Sequence, residues 1–305
     1  MELEEIFAIM DKYPLITIGV SAYNRANYLS FCLDSLLAQT YPNCEIIVVD
    51  DGSSDNTREL VQTKYPQIKY VYQENSGDAA AKNHAAQLAQ GKYIVFNDSD
   101  DLFYPDTVER LYNALDTSDE NACSYGTYQT IDADGNELPT KRKMAFYPSG
   151  KITDALLKHI IVNNCGTLVP LKLFKACGSF NAKLRVSYDW ALFLEMSLWG
   201  TFAAVQEPVF LRRRHSSNLS SASYAKIHIS WQVLEKFLSS HKDIEAKYAG
   251  IVRKRRADFH RKLYREAVRE KLKTESIFHA KAAFRFEKNI NNFAALLSAL
   301  LKKQR

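Results

Sequence analysis

Four short runs of apolar and β-branched residues, separated by segments of helical spacing, constrain this chain more than any other feature. Residues 15–20 (LITIGV), 45–49 (EIIVV), 68–72 (IKYVY) and 93–96 (YIVF) read as buried strands. Between the first two, residues 28–39 place Tyr28, Leu29, Cys32, Leu33, Leu36 and Leu37 at helical spacing, and Tyr41-Pro42 ends that helix. Asp55-Asn56-Thr57 opens a second helix, with Asp55 or Thr57 as its cap. Residues 79–90 predict a third, Ala-rich helix with Gly91 as its stop signal. Strand–helix alternation predicts an α/β domain with a mainly parallel sheet flanked by helices. Such sheets bind ligands beyond the carboxyl ends of their strands. Four polar clusters fall there: residues 21–25, 50–54, 75–78 and 98–101.

With 305 residues and 46% hydrophobic content, the chain can bury a sizeable core and carry an appendage. It has no run of about 18 apolar residues, so no membrane span is expected. The acidic N-terminal segment lacks the basic start and apolar stretch of a secretory signal. Five cysteines without a C-x-x-C spacing point to reduced thiols in the cytoplasm rather than to a zinc site. The net charge of +5 is uneven: residues 241–305 hold 18 basic and 7 acidic side chains, which leaves the remainder acidic. Such asymmetry suggests that the tail meets something acidic.

Asp98, Asp100 and Asp101 follow a buried strand within four positions. Mg²⁺ usually takes one or two carboxylates plus substrate phosphates, and a D-x-D at a strand end supplies them. The same residues also suit a solvated turn capping a helix at Leu102. Asp50-Asp51 ends another strand, where an acidic oxygen can accept a hydrogen bond from a base or ribose, or simply shape a turn. Asp189 opens the helix expected over 187–200, either as a first-turn carboxylate favoured by the macrodipole or as a general base. Arg212-Arg213-Arg214-His215 is either a solvated basic face or a charge-stabilising element beside a leaving diphosphate, with His215 also able to ligate a metal.

Taken together, these segments resemble family 2 glycosyltransferases of the GT-A fold. The resemblance rests on P-L-I-T-I-G-V-S-A-Y-N-R, E-I-I-V-V-D-D-G-S-S-D-N-T, N-S-G-D-A-A-A-K-N-H-A, G-K-Y-I-V-F-N-D-S-D-D, F-K-A-C-G-S-F-N, Y-D-W-A-L-F-L and R-R-R-H, in that order. It runs from about Pro14 to His215, roughly two thirds of the chain. It implies a catalytic domain over 1–223, with a Rossmann-like nucleotide-binding half at about 14–115 and an acceptor half at about 116–223, then a basic helical extension over 224–305. It implies that Ser21, Tyr23, Arg25 and Lys82 line the nucleotide pocket and that Asp51 holds the base. Asp98 would reach the ribose or the metal, and Asp100 would hold Mn²⁺ or Mg²⁺ on the diphosphate. Arg213 and His215 would attend the diphosphate, with His215 also at the metal. Asp189 would be the base of a single inverting displacement. The implied activity is transfer of a hexosyl or N-acetylhexosaminyl group from a nucleotide sugar, with UDP the expected carrier, to a glycan or lipid-linked acceptor in surface polysaccharide assembly. Three departures stand out: Lys82 where the family often has Arg, Tyr188 where it often has Glu, and Arg212 where an aromatic often precedes R-x-H.

In the tail, Ile244, Tyr248, Ile251, Phe259 and Leu263, and then Ile290, Phe293, Leu296, Leu297, Leu300 and Leu301, form two apolar stripes among basic residues. They fit helices packed on the body with a solvated basic face. They also fit contact with an anionic membrane surface, which would make the protein peripheral at the inner face of the cytoplasmic membrane. No nucleic-acid-binding motif accompanies the charge. Two other functions share the α/β sheet: a sugar nucleotidyltransferase, which needs a Gly-rich loop where Gly19 stands alone, and a non-catalytic nucleotide-sugar-binding module, which would leave Asp189 far from Asp98 and Asp100.

Overall fold

A computed structural model describes residues 13–140, 144–215 and 223–301. The N-terminal segment read above as lacking a signal, and the soft boundary at 216–222, lie outside the described residues. The chain divides into two compact units: one holds residues up to Thr153 and then Ile160–Ser217, the other Asp154–His159 and Asn218–Arg305.

The first unit is built on a nine-stranded mixed sheet. Its first half follows the alternation read from the sequence: β1 (Ile16–Ala22), α1 (Ala26–Leu37), β2 (Cys44–Asp50), α2 (Thr57–Lys64), β3 (Lys69–Tyr72), α3 (Asp78–Leu88) and β4 (Tyr93–Asp98). These four strands lie parallel in the order β3-β2-β1-β4. Then come β5 (Leu102–Phe103), α4 (Thr107–Asn113), β6 (Cys123–Ile131), β7 (Glu137–Leu138), α5 (Thr153–Lys158, which beyond Thr153 belongs to the second unit), β8 (Thr167–Pro170), α6 (Leu171–Ala176), α7 (Tyr188–Trp199) and β9 (Phe202–Arg213). Here the pairing turns mixed: β8 joins β4 antiparallel, β6 follows β8 antiparallel, and β9 runs parallel to β6.

Helices cover both faces of the parallel half. Ile16, Ile18 and Val20 of β1 pack with Leu29, Leu33 and Leu36 of α1, all at 0–1% exposure. Burying each such side chain contributes roughly 1.5–3 kcal/mol. On the other face, Ile47 and Val49 pack with Ala81 and Ala85 of α3. Gly19 is a strand residue rather than part of a phosphate loop: a Cβ there would lie 3.0 Å from Phe96 and 3.2 Å from Ala85. Gly91 also differs from its expected role. The helix before it ends at Ala89 in extended backbone, whereas a Cβ on Gly91 would lie 2.6 Å from Thr17 N. Glycine is required there for the close approach of two backbones.

The second unit comprises, besides residues 154–159, α8 (Tyr224–Ser240), α9 (Lys242–Lys247), α10 (Ala249–Arg269), α11 (Lys273–Phe286) and α12 (Ile290–Leu301). Much of its basic charge is spent internally. Arg256 forms a two-nitrogen pair with Glu235 at 2.7 and 2.8 Å and reaches Glu245 at 2.7 Å. Arg261 meets Glu287 at 2.7 Å, and Arg255 and Lys262 share Asp258. Val252, Phe259 and Leu263 of α10 are buried.

Candidate active site

Parallel pairing sets Ser21, Val49 and Asp98 in one row and Ala22 beside Asp50, so three strands end together. The loops beyond them are stitched to one another. Asn24 adopts a left-handed φ of 51°, tolerable for a short polar side chain, and its side chain accepts from Ser54 N at 2.8 Å while its own N–H donates to Ser53 Oγ at 2.9 Å. Asp50 shapes its own turn, accepting from Ser53 N at 2.8 Å and Tyr70 Oη at 2.6 Å. Asp51 is buried and accepts from Gln73 Nε2, Ser76 N and Gly77 N at 2.7–2.8 Å. A carboxylate offers about four lone-pair sites, so Asp51 holds the 73–77 loop and keeps about one free. Tyr23 stands 48% exposed at this edge.

Beside this row lies an ionic network around a buried lysine. Gly77, at φ +93°, turns the chain into α3, whose first residue is Asp78. Lys82, one turn on, is fully buried. Its Nζ donates to Asp78 at 2.9 Å, Asp98 at 2.5 Å and Tyr188 Oη at 3.1 Å, which uses all three of its protons. The hydroxyls of Ser21 and Tyr188 both donate to Asp78, and Asn164 Nδ2 donates to Tyr188 Oη at 3.1 Å. Burial draws the Lys82 pKa down, but Asp78 and Asp98 outweigh it and hold it well above its ordinary value. Burial pushes Asp78 up, yet Lys82, Ser21 and Tyr188 bring it below the usual carboxylate range. Asp98 goes the other way: burial, with the charges of Asp78 and Asp100, raises it against the pull of Lys82. The third motif also reaches across to the G-S-F-N segment, where Asn83 and the Phe180 backbone exchange hydrogen bonds of 2.7 and 2.9 Å.

Tyr188 carries this network to Asp189. Ser187, at a left-handed φ of 59°, precedes α7, and Asp189 in its first turn accepts from Trp190 N at 2.8 Å. Burial raises the Asp189 carboxyl; the Trp190 N–H and Lys82 oppose, and the Asp98 charge adds to the rise. Asp189 therefore shares an electrostatic environment with Asp98.

The Asp98–Asp101 turn is met by the end of β9. No helix begins at Leu102: residues 102–103 are β5, which pairs antiparallel with β9. Asp101 is accordingly not a helix cap. It is buried and accepts from Arg213 N at 2.9 Å; burial and the charges of Asp98 and Asp100 hold it well above the carboxylate range. Arg213 is also buried, and its guanidinium donates to the carbonyls of Asp100, Asp132 and Ala133 at 2.9–3.3 Å. His215 stacks on Tyr28 with 4.9 Å between centroids. Its Nε2 lies 2.8 Å from Asp100 Oδ2, and Arg25 Nε lies 3.9 Å from the same oxygen.

The chemistry of these donors fits a hard divalent cation. Two ligand atoms on one such ion, each at about 2.1 Å, are about 3 Å apart in a right-angle arrangement, close to the Asp100–His215 spacing. Asp98, Asp100 and His215 do not form one tight cluster, however. The one group of three possible ligand atoms within 4.8 Å of one another among the described residues is Asp98, Asp101 and Cys165. Cys165 is a poor hard-cation ligand, because burial holds its thiol pKa well above the ordinary value, and Asp101 is already used by Arg213 N. Asp100 and His215, 2.8 Å apart, are the better candidate pair. Asp78 and Asn164 were not singled out from the sequence, and Tyr188 stood out only as a departure from the family pattern; the i, i+4 spacing of Asp78 and Lys82 carried a signal.

The chain belongs to glycosyl transferase family 2, whose model matches residues 17–174. Its relatives include an uncharacterized glycosyltransferase of Rickettsia typhi, 32% identical over 244 residues, covering 79% of this chain and 72% of the relative. The chondroitin synthase of Escherichia coli is 30% identical over 216 residues, covering 70% of this chain but 31% of the synthase. The chain thus spans less than a third of that synthase. Two solved structures share the fold: S. aureus TarS 1–349 in complex with UDP-GlcNAc, with TM-score 0.63, 17% identity and coverage of 95% and 92% of the two chains; and the Pyrobaculum calidifontis mannosyltransferase PcManGT in complex with GDP-Man and Mn²⁺, with TM-score 0.56, 18% identity and coverage of 96% and 81%.

Proposed function

We propose that the chain is a metal-dependent inverting glycosyltransferase that moves a hexosyl or N-acetylhexosaminyl group from a UDP-sugar to a hydroxyl of a glycan or lipid-linked saccharide. The observation that carries this reading is the electrostatic link from Asp98, through Lys82 and Tyr188, to Asp189. It supports a candidate base coupled to the candidate donor pocket, which a non-catalytic binding module does not need.

In the proposed reaction the acceptor oxygen attacks the anomeric carbon, the bond to the diphosphate breaks on the opposite face, and Asp189 takes the hydroxyl proton. A raised carboxyl pKa makes Asp189 a stronger base. Ser21, Tyr23, Arg25 and the remaining acceptor site of Asp51 line the nucleoside side. Asp100 and His215, with Asp98, would hold Mn²⁺ or Mg²⁺, which neutralises charge on the diphosphate. Lys82, with all three protons on protein groups, orients Asp98, and Arg213, held through Nε and Nη1 on backbone carbonyls, steadies the 98–101 turn. The family membership, the synthase relative and the nucleotide-sugar complexes of the two fold neighbours support the donor class. The proposed setting is surface polysaccharide assembly at the cytoplasmic face of the membrane.

The test is a thermal-shift screen of nucleotide sugars with and without Mn²⁺ or Mg²⁺. A UDP-sugar should raise the midpoint only when metal is present. Stabilisation without metal, or by no nucleotide sugar at all, rejects the reading.

A further inference from the structure

The second unit ends in a helix that its own fold leaves half uncovered. α12 has no charged residue in its 12 positions. One side packs inward: Asn292 and Ala299 are buried, and Asn292 Nδ2 donates to the carbonyls of Ala283 and Glu287 at 3.2 and 2.7 Å. The other side carries Ile290, Phe293, Leu297 and Leu300, exposed by 84, 49, 44 and 38%. Steps of three, four and three residues put all four on one face. A helix facing water normally carries polar and charged residues there, so this face is built for something other than water.

The surrounding charge identifies the occupant. Residues 281–305 contain six basic side chains and one acidic, Glu287, and Glu287 is taken by Arg261 at 2.7 Å. Lys281, Arg285 and Lys288 are exposed just before the helix, and Lys302, Lys303 and Arg305 follow it in sequence. An uncharged apolar segment is therefore preceded by exposed cations and followed in sequence by more. A second copy of this surface would set cations against cations. A nucleic acid would meet the charge but leave the apolar face in water. An anionic lipid interface satisfies both, with acyl chains for the apolar residues and headgroups for the cations. At about 1.5 Å per residue, α12 is roughly 18 Å long, short of the roughly 30 Å hydrocarbon core. No described helix is long and apolar enough to cross a membrane, so this one lies along the surface.

We infer that α12 is a membrane-surface helix that buries Ile290, Phe293, Leu297 and Leu300 among anionic lipids, with Lys281, Arg285 and Lys288 at the headgroups. The Arg255, Arg256 and Arg261 side chains of α10 contribute little, because ion pairs within the unit hold them. This inference is independent of the catalytic reading.

The test uses the full chain, sedimented with vesicles containing about 30% phosphatidylglycerol in phosphatidylcholine, a strongly anionic surface. The chain should bind at low salt, release at high salt, and bind neutral vesicles weakly. Joint replacement of Phe293→Ser and Leu297→Ser should weaken binding about tenfold or more, since two inserted anchors are lost. Both side chains are exposed, so circular dichroism should be unchanged. As a second readout, Leu297→Trp should give an additional emission that shifts to the blue only with anionic vesicles. Absence of wild-type binding at low salt, full binding by the double variant, or an unshifted Leu297→Trp emission overturns the inference. So does a wild-type dimer that the double variant abolishes without any vesicle binding, because a second copy would then be the occupant.

Discussion

Lys82 bears on Asp98 and Asp189 together. Its ammonium sits between Asp78 and Asp98 and also holds the hydroxyl of the residue preceding Asp189. Lys82 is buried but Asp78 and Asp98 are 41 and 40% exposed, so water screens the charge its removal leaves and the cost falls below the about 3–5 kcal/mol of a fully buried pair. Lys82→Met should accordingly lower the unfolding midpoint and also weaken nucleotide-sugar binding. Tyr188→Phe deletes one donor to Asp78 and one acceptor for Lys82 and Asn164, a change of about 1–3 kcal/mol. If Tyr188 positions Asp189, this variant should lower kcat more than it raises KM; an equal loss in binding alone would assign it to the donor pocket. Asp189→Ala should abolish transfer with donor affinity retained, whereas Asp100→Ala should remove the metal-dependent part of donor affinity in calorimetry. Turnover by the first variant, or unchanged metal-dependent affinity in the second, would reverse the respective assignment. At this scale much of the candidate site was legible: Ser21, Asp51, Asp98, Asp100, Asp189 and His215 stand in short motifs next to strand and helix ends. The contacts of Asp78, Tyr188 and Asn164 were not legible, because partners 24 and 110 positions apart in the chain meet only after folding.

Single elements show where a local signal misleads. Gly91 looks like a helix stop, but its backbone lies against Thr17 N and Tyr93 O, where a Cβ would be at 2.6 and 2.7 Å. Both atoms are backbone and cannot swing aside. Gly91→Ala should therefore destabilise by about 1–3 kcal/mol, as other overpacking changes do, read as a lower urea midpoint at unchanged slope. A neutral or stabilising result would return Gly91 to the role of a plain helix stop. The two-residue strand β5 is another case. Leu102-Phe103 carries no strand signature of its own, and an Asp-rich turn before it reads as a helix cap. Pairing with Leu211 and Phe210 makes it a strand and brings Arg213 and His215 to the acidic turn.

For the molecule as a whole, the second unit holds a latent acid sensitivity. In it, His260 Nδ1 faces His279 Nδ1 at 2.8 Å, and His279 Nε2 meets Tyr224 Oη at 2.9 Å. One imidazole donates and the other accepts, and burial pushes each pKa down to about 4, so both are neutral near pH 7. The unfolded chain titrates these groups near 6.5 and takes up protons that the folded chain refuses. Stability is therefore intact above pH 6.5 and falls as the pH drops toward 4, by up to about 1.4 kcal/mol per pH unit for each imidazole. Urea unfolding at pH 7 and 5.5 should show this loss, and His279→Gln should flatten it; equal pH dependence in the variant would place the titrating groups elsewhere.

The acidic cluster at residues 98–101 shows how local pattern and tertiary structure divide the work. Short-range chemistry determined much by itself: apolar runs of strand length, helical spacing between them, and carboxylates at their ends specify parallel strands whose carboxyl ends converge. Each of those features acts within a few residues or one turn of helix. Only the tertiary structure decided how the cluster is shared, with Asp101 spent on the Arg213 backbone, Asp98 on Lys82, and Asp100 facing His215. Those assignments depend on antiparallel strands added at the far side of β4 and on a buried cation whose three protons are divided among three segments. Burial and charge pairing of that kind are set by distance in space, which a linear pattern does not encode.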